Sequence, residues 1–248
     1  MKYYLSQKLF LVWVFSRRIA MSEADREFYN SYWINRRTKR GSHSINRQAA
    51  IFYCIERIKN KNFERILDIG CGPGILTSML SKYGNVTGID ISNDVVGENR
   101  KAFPNIEFIS GDFLDILPKR NSIDLAVSSE VIEHLPMDKQ EDFLRCISNW
   151  LKPKAYLILT VPNRSTIERL HIKGNQLREN PFSTKELKYL ILKSDFEIIK
   201  FFTTHFLNEN RFISKIFWFS PKIYHMMDYV LRNTEMGLYM VVLARKLA

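Results

Sequence analysis

The chain has 248 residues, 46% hydrophobic and 25% charged, with 10 Gly and 8 Pro, which excludes a disordered, collagen-like or low-complexity polymer and supplies enough apolar material for one large α/β domain with additions. Cys54, Cys71 and Cys146 form neither a C-x-x-C pair nor a secreted disulfide framework, so a reducing, cytoplasmic setting is expected. The net charge of +11 is uneven: residues 1–60 carry 12 Lys and Arg against 4 Asp and Glu, residues 61–170 carry 13 against 15, and residues 171–248 carry 12 against 7.

Near the start, the apolar run Leu9 to Phe15 is bounded by Lys8 and by Arg17 and Arg18. It falls well short of the roughly 20 residues that cross a bilayer. No small-residue cleavage site follows it, so it does not read as a signal peptide. Residues 1–20 are expected to lie outside the catalytic domain, as a misread translation start or a weak membrane-surface helix, with peripheral membrane contact the most that they imply. Phe28, Tyr29, Tyr32 and Trp33 then precede Arg36, Arg37, Lys39 and Arg40, a pattern able to cap a cofactor or grip an anionic substrate. Residues 1–44 therefore read as an N-terminal extension and basic cap, and residues 45–248 as the domain proper. Its first element is a helix over Ile45 to Lys59 that buries Ile51, Phe52, Ile55 and Ile58 against a sheet.

From residue 61 onward, short β-rich runs alternate with amphipathic stretches, the signature of βα units and a mostly parallel sheet. The predicted strands are Arg65–Ile69, Asn85–Ile91, Ile106–Gly111, Ile123–Ser129, Ala155–Val161, Phe196–Thr204 and Leu238–Lys246. The predicted helices are Ile75–Lys82, Ser92–Phe103, Asp138–Leu151 and Ser183–Ser194, the last opening on a capping box of Ser183 and Glu186. Residues 206–236 interrupt the last two strands with a cluster of aromatic and Met residues and are expected to form a lid over a substrate pocket.

The most specific stretch is Ile66-Leu67-Asp68-Ile69-Gly70-Cys71-Gly72-Pro73-Gly74, a buried strand running into a glycine turn and a helix. Such a turn lets backbone approach a ligand closely, beside the unpaired N–H groups of a helix start. No Lys follows Gly74, which excludes a triphosphate-binding Walker loop, and the G-x-G-x-G spacing is not the dinucleotide G-x-G-x-x-G. Asp68 places negative charge where a pyrophosphate would sit, which suits a cationic ligand. Asp90, at the end of the second strand, can accept from both hydroxyls of a ribose. Asp112, in Ser110-Gly111-Asp112-Phe113, is placed to end the third strand and accept from a purine amine.

Together with Asp124 to Leu135, these segments resemble the class I S-adenosylmethionine-dependent methyltransferases over roughly residues 45–205. The resemblance implies a Rossmann-like α/β fold, with a seven-stranded, mostly parallel sheet whose last strand is antiparallel and helices on both faces. It assigns Gly70, Gly72 and Gly74 to the methionine part of the cofactor, Asp90 to the ribose and Asp112 to the adenine. Asp68, Cys71, Ile91, Phe113 and Ser129 complete the expected cofactor-lining set.

The fourth strand runs into Glu130-Val131-Ile132-Glu133-His134. On a helical turn Glu130, Glu133 and His134 share one face and could bind a divalent metal such as magnesium. This run is similar to that of ubiquinone-type catechol O-methyltransferases and small-RNA 2′-O-methyltransferases. The RNA enzymes add a further downstream His, which His171 and His205 do not match. The expected activity is O-methylation of a small acceptor, apolar or aromatic with an acidic group, with His134 as general base and Glu133 beside it. The alternatives are an RNA 2′-O-methyltransferase, which the basic flanks would suit, and a non-catalytic S-adenosylmethionine-binding protein.

Overall fold

The structure, a computed structural model, describes residues 23–36, 42–59, 62–112, 116, 118–172, 179–205 and 234–248. Residues 1–20, Arg37, Lys39, Arg40, Phe113 and positions 206–233 of the aromatic insertion, all invoked above, lie outside the described residues. In chain order the elements are α1 (Glu23–Arg36), α2 (Ser42–Ile55), β1 (Phe63–Ile69), α3 (Ile75–Leu80), β2 (Gly84–Asp90), α4 (Asn93–Ala102), β3 (Glu107–Ser110), β4 (Ile123–Ser129), α5 (Gln140–Trp150), β5 (Leu151–Pro162), α6 (Arg164–Arg169), α7 (Thr184–Lys193), β6 (Phe196–Thr204) and β7 (Tyr239–Lys246). Among the described residues no helix is long and apolar enough to cross a membrane.

All seven predicted strands form, in one sheet of order β3-β2-β1-β4-β5-β7-β6. Strands β1 to β5 pair in parallel, and β7 runs antiparallel between β5 and β6. The alternation of side chains along each strand divides the core between the two faces. Leu67, Leu157, Leu159 and Val242 pack with Phe143, Leu144 and Ile147 of α5 and Leu187 and Ile191 of α7. Ile66, Leu125, Val127, Ile158 and Val241 pack on the opposite face with Ile51, Cys54 and Ile55 of α2. Strands covered on both faces are apolar at successive positions, which is why they read so clearly in the sequence.

Three local expectations change. The helix expected to reach Lys59 stops at Ile55, where Arg57 and Ile58 donate three residues back and tighten the last turn. The strand expected over Ala155–Val161 is longer, running from Leu151 to Pro162, and Arg164 then opens α6. Between them Asn163 is fully buried, and its amide donates to the carbonyls of Glu235 and Gly237 and to the Thr166 hydroxyl, fastening the approach to β7. Asp112 lies two residues past the end of β3 rather than on it.

The capping box forms as expected: Ser183 Oγ accepts from the Glu186 N–H at 3.3 Å, while a Glu186 carboxylate oxygen accepts from the Ser183 N–H at 2.9 Å. Replacing Ser183 with Ala removes one half of this exchange and is expected to cost about 1 kcal/mol, read as a lower urea midpoint at unchanged slope.

Candidate active site

The carboxyl ends of β1, β2 and β4 meet at the glycine turn. The Gly70 and Cys71 N–H groups both donate to the Ile89 carbonyl, at 2.8 and 2.9 Å, so the chain leaving β1 folds over the end of β2. Gly70, Gly72 and Gly74 have φ of 72°, 47° and 73°, the left-handed region that glycine enters without steric cost. Gly70 is also confined from outside, since a Cβ there would stand 2.3 Å from Val131 Cγ2.

Asp90 fastens this turn. Its Oδ2 accepts from the Gly72 N–H and its Oδ1 from the Ser92 N–H, both at 2.9 Å. Asn99 of α4 donates to the Gly72 carbonyl at 2.7 Å from the other side. Burial raises the Asp90 pKa, and the N–H groups of Ser92, Gly72 and Ile91 oppose that rise. The Gly111 N–H donates to the Asp90 carbonyl at 3.0 Å, which brings the buried Asp112 to the same sheet edge. The three acids expected to mark one ligand are therefore gathered, but in different roles. Asp68 is 1% exposed and accepts from the Thr77 hydroxyl at 2.6 Å, which ties β1 to α3. Burial pushes its carboxyl up to about 7, with the Thr77 hydrogen bond opposing.

Cys71 departs from the expected lining role. Its side chain is buried with Val95, Val96 and Phe108, and burial followed by the Asp90 charge raises the thiol pKa. Its backbone alone belongs to the turn. Ser129 shares a 2.9 Å hydrogen bond with Thr160 across β4 and β5.

The Glu130–His134 run also differs from expectation. Glu130 is left-handed, with φ of 59°, and its N–H still donates to the Thr160 carbonyl of β5. The helical geometry is a single 3₁₀ turn over Ile132–His134, after which Pro136 holds Leu135 extended. Glu130 stands outside that turn, so the three side chains do not share a helical face. Among the described residues no group of three His, Cys, Asp or Glu side chains is placed to hold a metal ion. Glu130 Oε2 instead pairs with Arg47 of α2 at 3.5 Å, and Oε1 accepts from Thr160 at 3.2 Å. Glu133 is 1% exposed, with His134 Nε2 at 3.7 Å from its Oε1. Burial, then the Glu130 charge, pushes the Glu133 carboxyl well above the usual range. Burial likewise raises Glu130 to about 7 against the pull of Arg47.

Helix α1 reaches both ends of the site. Asn30 Oδ1 accepts from Ser92 Oγ at 2.6 Å, beside Asp90, and the Tyr29 ring meets His134 edge-on at 6.2 Å. Burial, then the Glu133 and Asp90 charges, raises the Tyr29 phenol pKa. Asn30, Asn99, Thr77, Arg47 and Tyr239 are site residues absent from the sequence reading. Two of them had a signal: Arg47 falls four residues before Ile51 on the buried stripe of α2, and Asn99 falls four and three residues after Val95 and Val96.

Residues 66–154 match the family model described as a methyltransferase domain. Trans-aconitate 2-methyltransferase of Escherichia coli is 31% identical over 121 residues, 48% of this chain and 46% of its own length, so the chain spans about half the length of the curated relatives it matches. The fold is shared with a methyltransferase dependent on S-adenosylmethionine from Archaeoglobus fulgidus, at TM-score 0.62 and 18% identity over 87% of this chain and 99% of that one. A second such structure, from Methanosarcina mazei, has TM-score 0.57 and 24% identity over 78% and 96%. Over residues 66–154 the chain matches a methyltransferase domain, and its fold is the one these S-adenosylmethionine-dependent methyltransferases share.

The described residues of this methyltransferase domain fit S-adenosylmethionine, which has a sulfonium, a ribose and an adenine but no phosphate. Asp90 retains lone pairs beyond those given to Gly72 and Ser92 with which to accept from ribose hydroxyls. The left-handed glycines leave three positions of the turn without a side chain.

Gly70→Ala is expected to lose both stability and the shape of the turn, because the new Cβ meets Val131. Gly97→Ala in α4, where nothing lies within 4 Å, is expected to be neutral or to gain about 0.5–1 kcal/mol, and paired denaturant melts compare the two. Asp68 has a folded pKa above its unfolded value, so the stability its neutral form contributes is complete below the ordinary carboxylate range and is lost as pH rises through about 7. Asp68→Asn keeps an acceptor for Thr77 and is expected to flatten that loss, measured by urea unfolding between pH 5 and pH 8.

Proposed function

We propose that this chain methylates an oxygen of a small organic acceptor, using S-adenosylmethionine as donor. The observation that carries the reading is the buried Asp90 carboxylate at the end of β2, joined to the Gly72 N–H of a left-handed glycine turn, with the buried Asp68 close enough to feel its charge. The trans-aconitate 2-methyltransferase relative supports a small-molecule acceptor.

In this reading Asp90 accepts from the ribose hydroxyls and Asp112 from the adenine amine, while Gly70, Gly72 and Gly74 let backbone stand close to the methionine part. S-adenosylmethionine supplies a methyl group made electrophilic by its bond to a cationic sulfur. The protein aligns the acceptor oxygen behind that methyl, at about 3–3.5 Å, and contributes chiefly by positioning. As the new C–O bond forms and the C–S bond breaks, the acceptor's proton moves to an imidazole nitrogen of His134, with the Glu133 carboxyl 3.7 Å from its Nε2. Tyr29 offers an aromatic surface to a flat or apolar acceptor, and α1 lies beside both ligands. The concentration of buried carboxyls supports a small acceptor over a polyanionic RNA.

Calorimetry with S-adenosylhomocysteine tests the cofactor assignment. Asp90→Ala is expected to weaken binding about tenfold to a hundredfold, from the loss of charged hydrogen bonds of roughly 1.5–3 kcal/mol. Unchanged affinity would remove the ribose role. Formation of S-adenosylhomocysteine with a panel of phenols, sugars, lipids, organic acids including trans-aconitate and short RNAs tests the acceptor class. With an active acceptor in hand, His134→Ala is expected to lower turnover by about 10² or more. Turnover that survives the substitution excludes His134 as the base.

A further inference from the structure

We propose that Arg47 is the resident cation of the acceptor end of the site, pairing with Glu130 beside Glu133 in the place that a divalent ion would otherwise fill, so that the cluster works without metal. The proposal rests on the methyltransferase reading above, and its focus is a residue to which neither the glycine turn nor the Glu130–His134 run points.

Three elements fix the guanidinium. Arg47 leaves α2 one turn before Ala50 and Ile51, which are buried against the sheet, so a rigid helix sets its position. Its Nη1 lies 3.5 Å from Glu130 Oε2 at the end of β4. Its guanidinium carbon stands 4.8 Å from the centroid of the Tyr239 ring at the start of β7, a separation at which a cation is attracted to an aromatic face. Both oxygens of Glu130 are thereby used, one by Arg47 and the other by the Thr160 hydroxyl.

This arrangement competes directly with a metal. Magnesium requires near-octahedral oxygens at about 2.0–2.1 Å. An ion that close to Glu130 would share its carboxylate with a fixed positive charge in a poorly screened interior, where like charges repel strongly. A guanidinium has five N–H donors in a rigid fork and keeps its charge at all working pH values, so it can serve a carboxyl pair without the dehydration that a metal needs. The cluster also keeps capacity for a substrate. The Arg47 Nε–H and both Glu133 carboxyl oxygens are buried and have no hydrogen-bond partner among the described residues. Arg47 is therefore a positioning residue for Glu130 with one donor left for an acceptor oxygen.

The test is a titration of the full chain, first dialysed against chelator, with Mn²⁺ as probe, followed by calorimetry and by the paramagnetic resonance of free Mn²⁺. The wild-type chain is expected to show no one-to-one Mn²⁺ site. Arg47→Met exposes the two carboxyls to an outside cation and is expected to raise Mn²⁺ affinity about tenfold or more, a gain that Glu130→Gln added to it reverses. Arg47→Lys keeps the charge and is expected to show no gain. A one-to-one Mn²⁺ site in the wild-type chain that Glu130→Gln abolishes would overturn the proposal, and that measurement needs no Arg47 variant to fold. An Arg47→Met chain that folds and gains nothing would overturn it equally. S-adenosylhomocysteine, titrated into the same proteins, separates the two readings. It is expected to bind the wild-type and Arg47→Met chains alike, whereas a wild-type chain that does not bind it refutes the methyltransferase reading and leaves the Mn²⁺ result to judge Arg47.

Discussion

The Asp90 carboxylate is the joint on which the rest of the site depends. It lies at the end of a strand paired on both sides, so its position is fixed by the ladders to β1 and β3. One oxygen holds Gly72 and with it the turn after β1; the other holds Ser92 at the start of α4. Ser92 in turn caps α4 by accepting from the Val95 N–H and donates to Asn30 of α1. A single carboxylate thus connects two strands, the glycine turn and two helices. Each N–H it accepts from is buried and would be costly to leave unpaired, which makes the arrangement hard to dismantle piecemeal.

The second organising constraint is the cost of gathering acids. Asp68, Asp90, Asp112, Glu130 and Glu133 are all placed near the carboxyl edge of the central strands, and Asp68, Asp90 and Glu133 are raised in pKa first of all by burial. Burial disfavours the charged form of each. The protein answers locally: a hydroxyl for Asp68, backbone N–H groups for Asp90, a guanidinium and a hydroxyl for Glu130. The cofactor and acceptor ends are consequently different environments. At the former the donors to Asp68 and Asp90 are neutral, which suits a ligand that brings its own positive charge. At the latter Arg47 already provides a cation.

The periodic parts of the fold were legible because the physics that sets them is local. Phe196–Thr204 and Ile123–Ser129 form over the predicted bounds, since apolar runs of that length bounded by turn residues have few alternatives. The Ser183–Glu186 box forms because both partners lie within one turn. The glycine turn and Asp90 were legible as well: G-x-G-x-G after a buried strand specifies a backbone shape, and an acid ending the next parallel strand comes to the same edge. The expected sharing of a helical face by Glu130, Glu133 and His134 failed for an equally physical reason. A helical face assumes α geometry from the first residue, but β4 keeps pairing with β5 as far as Glu130, and the chain then has room for one 3₁₀ turn before Pro136.

By itself the sequence determined the α/β class, the strands, the glycine turn and the acids at strand ends, all of which follow from periodicity or from spacing along a few tens of residues. Tertiary structure alone decided that Arg47, 83 residues before Glu130, stands against it, that Asn30 reaches Ser92, that Asp68 is committed to Thr77, and that Cys71 turns into the core. Those contacts depend on how α1 and α2 lie across a completed sheet. No local pattern encodes that placement, because the same apolar stripe packs a helix on the sheet whether the polar residue beside it meets a carboxylate, a ligand or water.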